Sequence, residues 1–344
     1  MSGVIRKLLL LPHIHIHNAN ALSSPYTIGF PAMTAWLGAV HALQRKLNAA
    51  GLPVRFEATG VVCHTMDLQT YQGPNDFVAS IIGTGNPLEP KTEKGNPSNA
   101  VRPSFIEEAR CHLDVSLVVD MTGVDADDNS NLHDQITRLL HSSMKLAGGD
   151  ILRFSPPETL TIEDGNPEDM ALFKRRLMPG YALMERRDLM AEAMEQGQDA
   201  LDALVDYLAI HHRSHKDENG DVSWTSQRKV QPVKEGEPSK PAGWIVPIAT
   251  GFHGITPLGD AKNQRDPDTP HRFAESLVTL GEFKMPYRLG QVNDMLWRYH
   301  FDKARSLYLC QQAAQQDTGQ ASQQTQHNTD TMLAMDNSIA SEFE

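Results

Sequence analysis

The chain has 344 residues, 40% of them hydrophobic, and a net charge of −12. That length exceeds one small core and predicts about two folded units, while no apolar run nears the ~20 residues that span a bilayer and no cleavable leader follows the short run at 8–11. The negative sum argues against a free-standing binder of polyanions, but it is uneven: 311–344 holds five acids and no Lys or Arg, whereas 244–310 holds eight Lys/Arg against seven acids, and a local patch sets phosphate binding.

In chain order, 5–17 reads as a strand, with Pro12 calling for an edge or a bend. A turn-rich loop follows at 18–29. Pro31 opens a helix over 33–47, with Trp36, Leu37, Val40, Leu43 and Leu47 on one face, and Gly51 and Pro53 stop it. A second strand spans 54–64. Gly and Pro crowd 70–104, which reads as an inserted arm. Alternation returns at 110–120, with His112, Asp114 and Ser116 on one face. A helix spans 131–146, Gly148-Gly149 ends it, and 151–154 forms a fourth strand. This order of strands and helices is the split βαβ pattern of an α+β, ferredoxin-like or RRM-like fold.

The second half is less regular. Helices are expected at 170–178, 189–210, 270–280 and 292–300, with strands at 181–185 and 244–248. The polar stretch 214–242 reads as a long loop. The domain reading is 1–155 for the ferredoxin-like unit, with its arm at 70–104; 156–310 for a second, irregular α+β part; and 311–344 for a disordered tail. Cys63, Cys111 and Cys310 are scattered and odd in number, which fits a reduced, cytoplasmic setting, and no CxxC spacing supports a zinc site.

Several constellations could carry chemistry. His13, His15 and His17 alternate with Ile14 and Ile16, so all three share one strand face. They could begin a hydrolase metal site, but such a site needs a carboxylate and further histidines, and His211-His212-x-x-His215 lies at a helix end without a Glu. The favoured reading is a solvated or RNA-facing histidine surface, with no metal and no cofactor. Cys63 and His64 point to opposite faces and cannot act as nucleophile and base. Gly148-Gly149 is either a helix C-cap or a loop whose bare backbone lets a phosphate approach. Arg175 and Arg176, after Lys174, form a solvated face or a phosphate contact.

One stretch has a pattern beyond its periodicity. His17-Asn18-Ala19-Asn20-Ala21 leads to Ser23-Ser24-Pro25, then Gly29-Phe30-Pro31, Thr34, Trp36-Leu37-Gly38 and Val40-His41-Ala42-Leu43. Val62-Cys63-His64, Asn86-Pro87-Leu88, Leu146-Ala147-Gly148-Gly149-Asp150, Leu177-Met178-Pro179-Gly180-Tyr181, Gly243-Trp244-Ile245-Val246-Pro247 and Thr269-Pro270-His271-Arg272-Phe273 follow in order. The chain so resembles the "Csy two" (Cas-five-type) subunits of type I-F CRISPR surveillance complexes over about 5–309. The arm at 85–100 departs in detail, and 214–242 and the segment after Cys310 match nothing in that pattern.

The resemblance implies a RAMP-type ferredoxin-like domain with a thumb-like insertion. It implies a non-catalytic subunit that sits on the 5′ handle of the guide RNA, pairs with the large subunit, abuts the last backbone subunit and meets target DNA through the assembled complex. Expected RNA contacts are Asn18, Asn20, Ser23, Ser24, Gly148, Gly149, Arg175, Arg176 and Arg272. The adjacency of the Gly148-Gly149 loop to the first loop is taken from the family. Arg272→Ala and Gly149→Glu are expected to weaken guide retention with the fold intact; the alternative for Arg272 is an ion pair with Glu275 or Asp268. Two rival readings remain: an RNA-processing endoribonuclease using Tyr26 and His41, and a metal-dependent hydrolase using His13, His15 and His17.

Overall fold

Four consecutive leucines set the middle layer of the molecule. This computed structural model describes residues 4–82, 108–124, 129–216, 220–229, 244–264 and 266–312, and strand pairing alone for 89–90 and 100–101. In it the first strand, β1 (Ile5–Asn20), buries Leu9 and Leu11 in one cluster and Leu8 and Leu10 in another, on the opposite face. A strand covered on both faces reads as an unbroken apolar run.

The first cluster forms against two helices, α1 (Met33–Ala49) and, after strands β2 (Arg55–Leu68) and β3 (Arg110–Thr122), α2 (Asn129–Ser142). Trp36, Leu37, Val40, Leu43 and Leu47 of α1 and Leu132, Ile136 and Leu140 of α2 are the apolar stripes it buries. Each such side chain contributes about 1.5–3 kcal/mol. With β4 (Gly149–Arg153), these strands pair antiparallel in the order β4–β1–β3–β2.

A strand absent from the sequence reading, β5 (Glu158–Glu163), pairs with the first half of β1, while β4 pairs with the second half. Pro12 falls between them, where no ladder needs its missing N–H. The bend expected there is a bulge between Leu11 and Ile14, with His13 at φ 49°.

Beyond residue 155 come α3 (Pro167–Arg176), β6 (Tyr181–Glu185), α4 (Arg187–Glu195), α5 (Ala200–Leu208), β7 (Ile210–Lys216), β8 (Val222–Arg228), β9 (Trp244–Gly254), β10 (Ala274–Lys284), β11 (Trp297–Asp302) and β12 (Leu307–Gln312). The α3 residues Met170 and Phe173 close the second cluster over Leu8 and Leu10. The sheet continues from β2 through β6, β10, β9, β12 and β11, and β11 returns to β2 where Trp297 faces Thr59. Strands from both sides of residue 155 thus share one sheet of 11 strands in an α+β chain. Among the described residues, no helix is long and apolar enough to cross a membrane.

Several expectations need correction. The stretch 270–280 is not a helix; it leads into β10, which pairs with β9 over ten positions and with β6 on its other side. Leu277 and Leu280 mimic a helical spacing, and the two-sided ladder overrides it. The stretch 292–300 is a 3₁₀ turn, Val292–Met295, followed by β11, whose Trp297, Tyr299 and Phe301 alternate.

The expected single helix at 189–210 breaks at Gly197 (φ 96°), and Asp199 recaps α5 by accepting from the Asp202 N–H at 2.8 Å. Part of 214–242 is the ribbon β7–β8, almost wholly exposed on both faces, which leaves no apolar alternation to read. The last strand reaches Gln312, so 311 and 312 belong to the fold, and 313–344 lies outside the described residues. About half of the arm also lies outside them; its described residues are 70–82, where Thr70–Tyr71 pairs with Ser80–Ile81, and the pairing of 89–90 with 100–101.

Candidate nucleic-acid interface

A cleft of about 380 Å³ opens at the start of α1, lined by Asn20, Pro31, Ala32, Ala35, Ala39, Lys145, Ala147 and Gly148. Three local choices make it. The N-cap of α1 is Ala32, no side chain caps the helix, and no acid sits in its first turn. By contrast α3 has Asn166 accepting from Glu168 N–H at 3.0 Å, Pro167 at its first position, and two acids behind it. An uncapped helix start leaves N–H groups and the positive dipole end open to an anion. Ala32, Ala35 and Ala39 then keep that side of the helix bare. The third choice is the turn between the short strand Lys145–Leu146 and β4, where Ala147 (φ 48°) and Gly148 (φ 76°) both take positive φ.

That turn corrects the reading of Gly148-Gly149 as a helix end, because α2 stops at Ser142. A two-residue hairpin of positive φ at both centres is what a tight antiparallel link requires. The turn is tied to the first loop: Asn20 N–H donates to Ala147 O at 2.8 Å. The two glycines differ. A Cβ on Gly148 would meet nothing within 4 Å; one on Gly149 would stand 2.6 Å from Ile16 Cγ2, 2.7 Å from His17 O and 2.8 Å from Ala19 N. Gly149 is therefore a packing position against β1, and Gly149→Glu would disturb the fold, contrary to the sequence expectation. Lys145 brings the cleft's cation, already paired with Asp150 at 2.6 Å; both are exposed, and this bond holds the Asp150 carboxyl below its usual range.

The other predicted contacts scatter. Asn18 (φ 57°) is exposed; its N–H donates to His112 Nδ1 at 3.3 Å and its Oδ1 accepts from Gln69 at 2.6 Å. Ser24 is buried, its hydroxyl 2.6 Å from that of Thr27, and Ser23 Oγ lies 3.0 Å from the same hydroxyl. Both serines close their own turn. Arg175 and Arg176 end α3, on the sheet face opposite α1, with Arg176 3.5 Å from Glu158; they do not join the cleft.

Arg272 forms neither expected ion pair. Glu275 pairs with His253 at 3.1 Å, while Arg272 lies along Gly254 with its Nε buried and without a partner. It sits two residues before β10, whose Ser276 carbonyl accepts the Tyr26 hydroxyl at 3.0 Å. That contact anchors Tyr26, one of the two candidate cleavage residues; the other, His41, lies on α1.

On the other sheet face, His13 and His15 alternate with buried Ile14 and Ile16, as their spacing predicts. The ring of His13 stacks on His64 at 4.2 Å and that of His17 on His112 at 4.5 Å. Asp114 lies 3.2 Å from His13 Nδ1 and 3.7 Å from His15 Nε2. His64 Nε2 is 2.7 Å from Ser116 Oγ, and its Nδ1 hydrogen-bonds to Pro179 O. Burial lowers the pKa of His64, opposed chiefly by the Pro179 carbonyl.

His211, His212 and His215 do not converge. His211 faces Asp206, and His212 and His215 hydrogen-bond across the ribbon to Ser226 and Thr225. Sequence reading missed Ala32, Ala35, Ala39, Lys145 and His64 as site residues. The alanine row at helical spacing was a usable signal; the others needed the strand pairing.

The family of CRISPR-associated protein Csy2 (Cas_Csy2) matches residues 9–310. The chain is also similar to the CRISPR-associated protein Csy2 of Pseudomonas aeruginosa (strain UCBPP-PA14), with 34% identity over 329 residues that cover 88% of this chain and 94% of the relative.

Proposed function

The chain belongs to the Csy2 family of CRISPR-associated proteins, subunits of type I-F complexes, and from that premise we propose that it is a non-catalytic subunit that holds the 5′ handle of the guide RNA. In this reading it pairs with the large subunit, abuts the last backbone subunit and meets target DNA through the assembled complex. We read 1–155 as the ferredoxin-like, RAMP-type unit; its two strand–helix–strand repeats and the order β4–β1–β3–β2 support that.

The observation that carries the reading is the cleft at the start of α1. It offers uncapped N–H groups, a bare two-residue turn and one lysine, which together suit a phosphate better than a base edge. Arg272, whose buried Nε has no hydrogen-bond partner, is a second cation that could turn toward the backbone. Both supply position rather than sequence readout. A chain of net charge −12 has little long-range attraction for RNA, so partner subunits supply the rest of the basic surface.

The test is guide occupancy in assembled complexes carrying Gly148→Glu or Arg272→Ala. Gly148 has open space for the carboxylate, which should repel phosphate without a clash. Each variant is expected to reduce guide RNA per complex, Gly148→Glu the more strongly, since one lost charge contact costs ~1–3 kcal/mol and a carboxylate adds repulsion. Full guide occupancy in both variants, with subunit content intact, refutes this placement of the RNA.

A further inference from the structure

The open sheet face holds a second constellation that the RNA reading leaves unused. It is made by two bulges. The pairing of β1 with β3 slips between Leu11 and Ile14, and that of β2 with β3 slips between Cys63 and Thr65. His13 and His64 are residues within those slips, on the two strands that flank β3. Asp114 and Ser116 lie on β3 between them. Bulges re-aim side chains, and these two swing both rings over one carboxylate. His13 accepts φ 49° to do so, a left-handed conformation that is strained for a non-glycine residue.

One donor atom each of His13, His64 and Asp114 lies within 4.8 Å of the others. His13 Nδ1 stands 3.2 Å and 3.3 Å from the two oxygens of Asp114, and His15 Nε2 stands 3.7 Å from one of them. A charged N–H to carboxylate bond is shorter, ~2.7–2.9 Å. Two donors on one tetrahedral ion with bonds near 2.05 Å stand about 3.3 Å apart. The spacing of His13 and Asp114 therefore suits co-ligands, whereas His15 reaches Asp114 but stands outside the group of three.

The surroundings add an independent observation. His64 Nδ1 donates to the Pro179 carbonyl, which leaves the Nε2 lone pair directed at Ser116 Oγ, 2.7 Å away. Metal-binding histidines are oriented in this way, with the second ring N–H held by a carbonyl. The backbone that follows presses on the ring: a Cβ on Gly180 would come within 2.8 Å of His64 Nδ1. The ring is fixed from behind, with its Nε2, now held by Ser116, on the cluster side.

We propose that His13, His64 and Asp114 form a binding site for a divalent transition cation of the zinc class. Imidazole and carboxylate together favour Zn²⁺ and its neighbours over Mg²⁺ or Ca²⁺, which take oxygen donors. The ion replaces the Ser116 hydroxyl at His64 Nε2 and joins β1, β2 and β3 to the chain segment after α3. It also places positive charge on an open face of an acidic protein. No hydrolysis is implied, and the proposal stands apart from the RNA reading.

The test uses full-length chain without a polyhistidine tag, washed with chelator, then titrated with Zn²⁺ alone by calorimetry and with Co²⁺ alone for its visible spectrum. One equivalent of Zn²⁺ is expected, with Co²⁺ absorption typical of low coordination number. His13→Gln and Asp114→Asn should each weaken binding at least tenfold, while His17→Ala and His212→Ala leave it unchanged. His13 is more exposed than Asp114, so His13→Gln tests the site even where Asp114→Asn unfolds the sheet. Absence of a bound equivalent in the wild-type chain overturns the proposal. So does loss on His212→Ala with binding retained in His13→Gln.

Discussion

Replacing Gly149 and Gly148 separately by alanine tests the two roles assigned to the turn before β4. At Gly149 a Cβ would lie 2.6 Å from Ile16 Cγ2, 2.7 Å from His17 O and 2.8 Å from Ala19 N. Two of those atoms are backbone of β1, which β3 and β4 hold from both sides, so they cannot yield as a side-chain tip would. Overpacking of this kind costs ~1–3 kcal/mol, and a backbone neighbour argues for the upper part of that range. At Gly148 the added methyl meets nothing, and only the positive φ of 76° is strained, worth about 1 kcal/mol. The assay is urea unfolding of the full-length chain followed by tryptophan fluorescence, with Trp36 and Trp297 both fully buried reporters. Gly149→Ala should lower the midpoint about two to three times as far as Gly148→Ala. Equal shifts, or a neutral Gly149→Ala, would refute the claim that Gly149 is a packing position, and with it the choice of Gly148→Glu as the clean probe of RNA contact.

The three thiols should be inert in the native chain, because burial pushes Cys63, Cys111 and Cys310 up to about 12; alkylation at pH 8 should be slow until urea is added, and fast native labelling of any of them contradicts this burial. A chain ending at Gln312 should keep the stability of the full chain, whereas one ending at Cys310 should melt lower. It loses the bond from Gln312 N–H to Glu185 at 2.9 Å and that from Glu185 N–H to Gln312 at 2.8 Å, each worth ~0.5–1.5 kcal/mol. Equal melting of the two truncations would remove residues 311 and 312 from the fold. Burial raises the Glu185 carboxyl, opposed by Arg187 and the Gln312 N–H. A raised folded pKa means stability is gained as pH falls and lost as it rises through that pKa. The wild type should therefore gain relative to Glu185→Gln as pH drops from 7 toward the ordinary carboxylate range, and the opposite trend in melting temperature would reverse the assignment.

What the sequence disclosed follows from the range of the interactions involved. The helices α1 and α2 and the strands β1 to β3 are legible because each carries its own periodicity, and the doubly buried Leu8–Leu11 run reads as a strand without alternation. The strand β10 is not legible in that way. Leu277 and Leu280 fit a helix equally well, and the decision rests with β9 and β6, which lie elsewhere in the chain. The ribbon β7–β8 has no core face at all, so nothing local marks it.

The candidate sites divide along the same line. Asn20 and Gly148 could be singled out because turns and bare backbone have local signatures, and the alternation of His13, His15 and His17 shows which face they share. Their partners could not be chosen. Asp114 and His64 lie 101 and 51 residues from His13 in the chain, and which of the polar residues on β2 and β3 meets His13 depends on register. A slip of one residue moves a whole strand's side chains to the other face. Two bulges make that slip here, one at Pro12-His13 and one at His64, and only the first had a visible cause, the proline. The bulge at His64 has no such mark: its sequence, Val-Cys-His-Thr, would sit equally well in a regular strand. What holds it is the Pro179-Gly180 backbone against the ring, contributed by a segment beyond α3. The strands that carry the cluster are thus written locally, while its geometry is set by a contact from the other half of the chain.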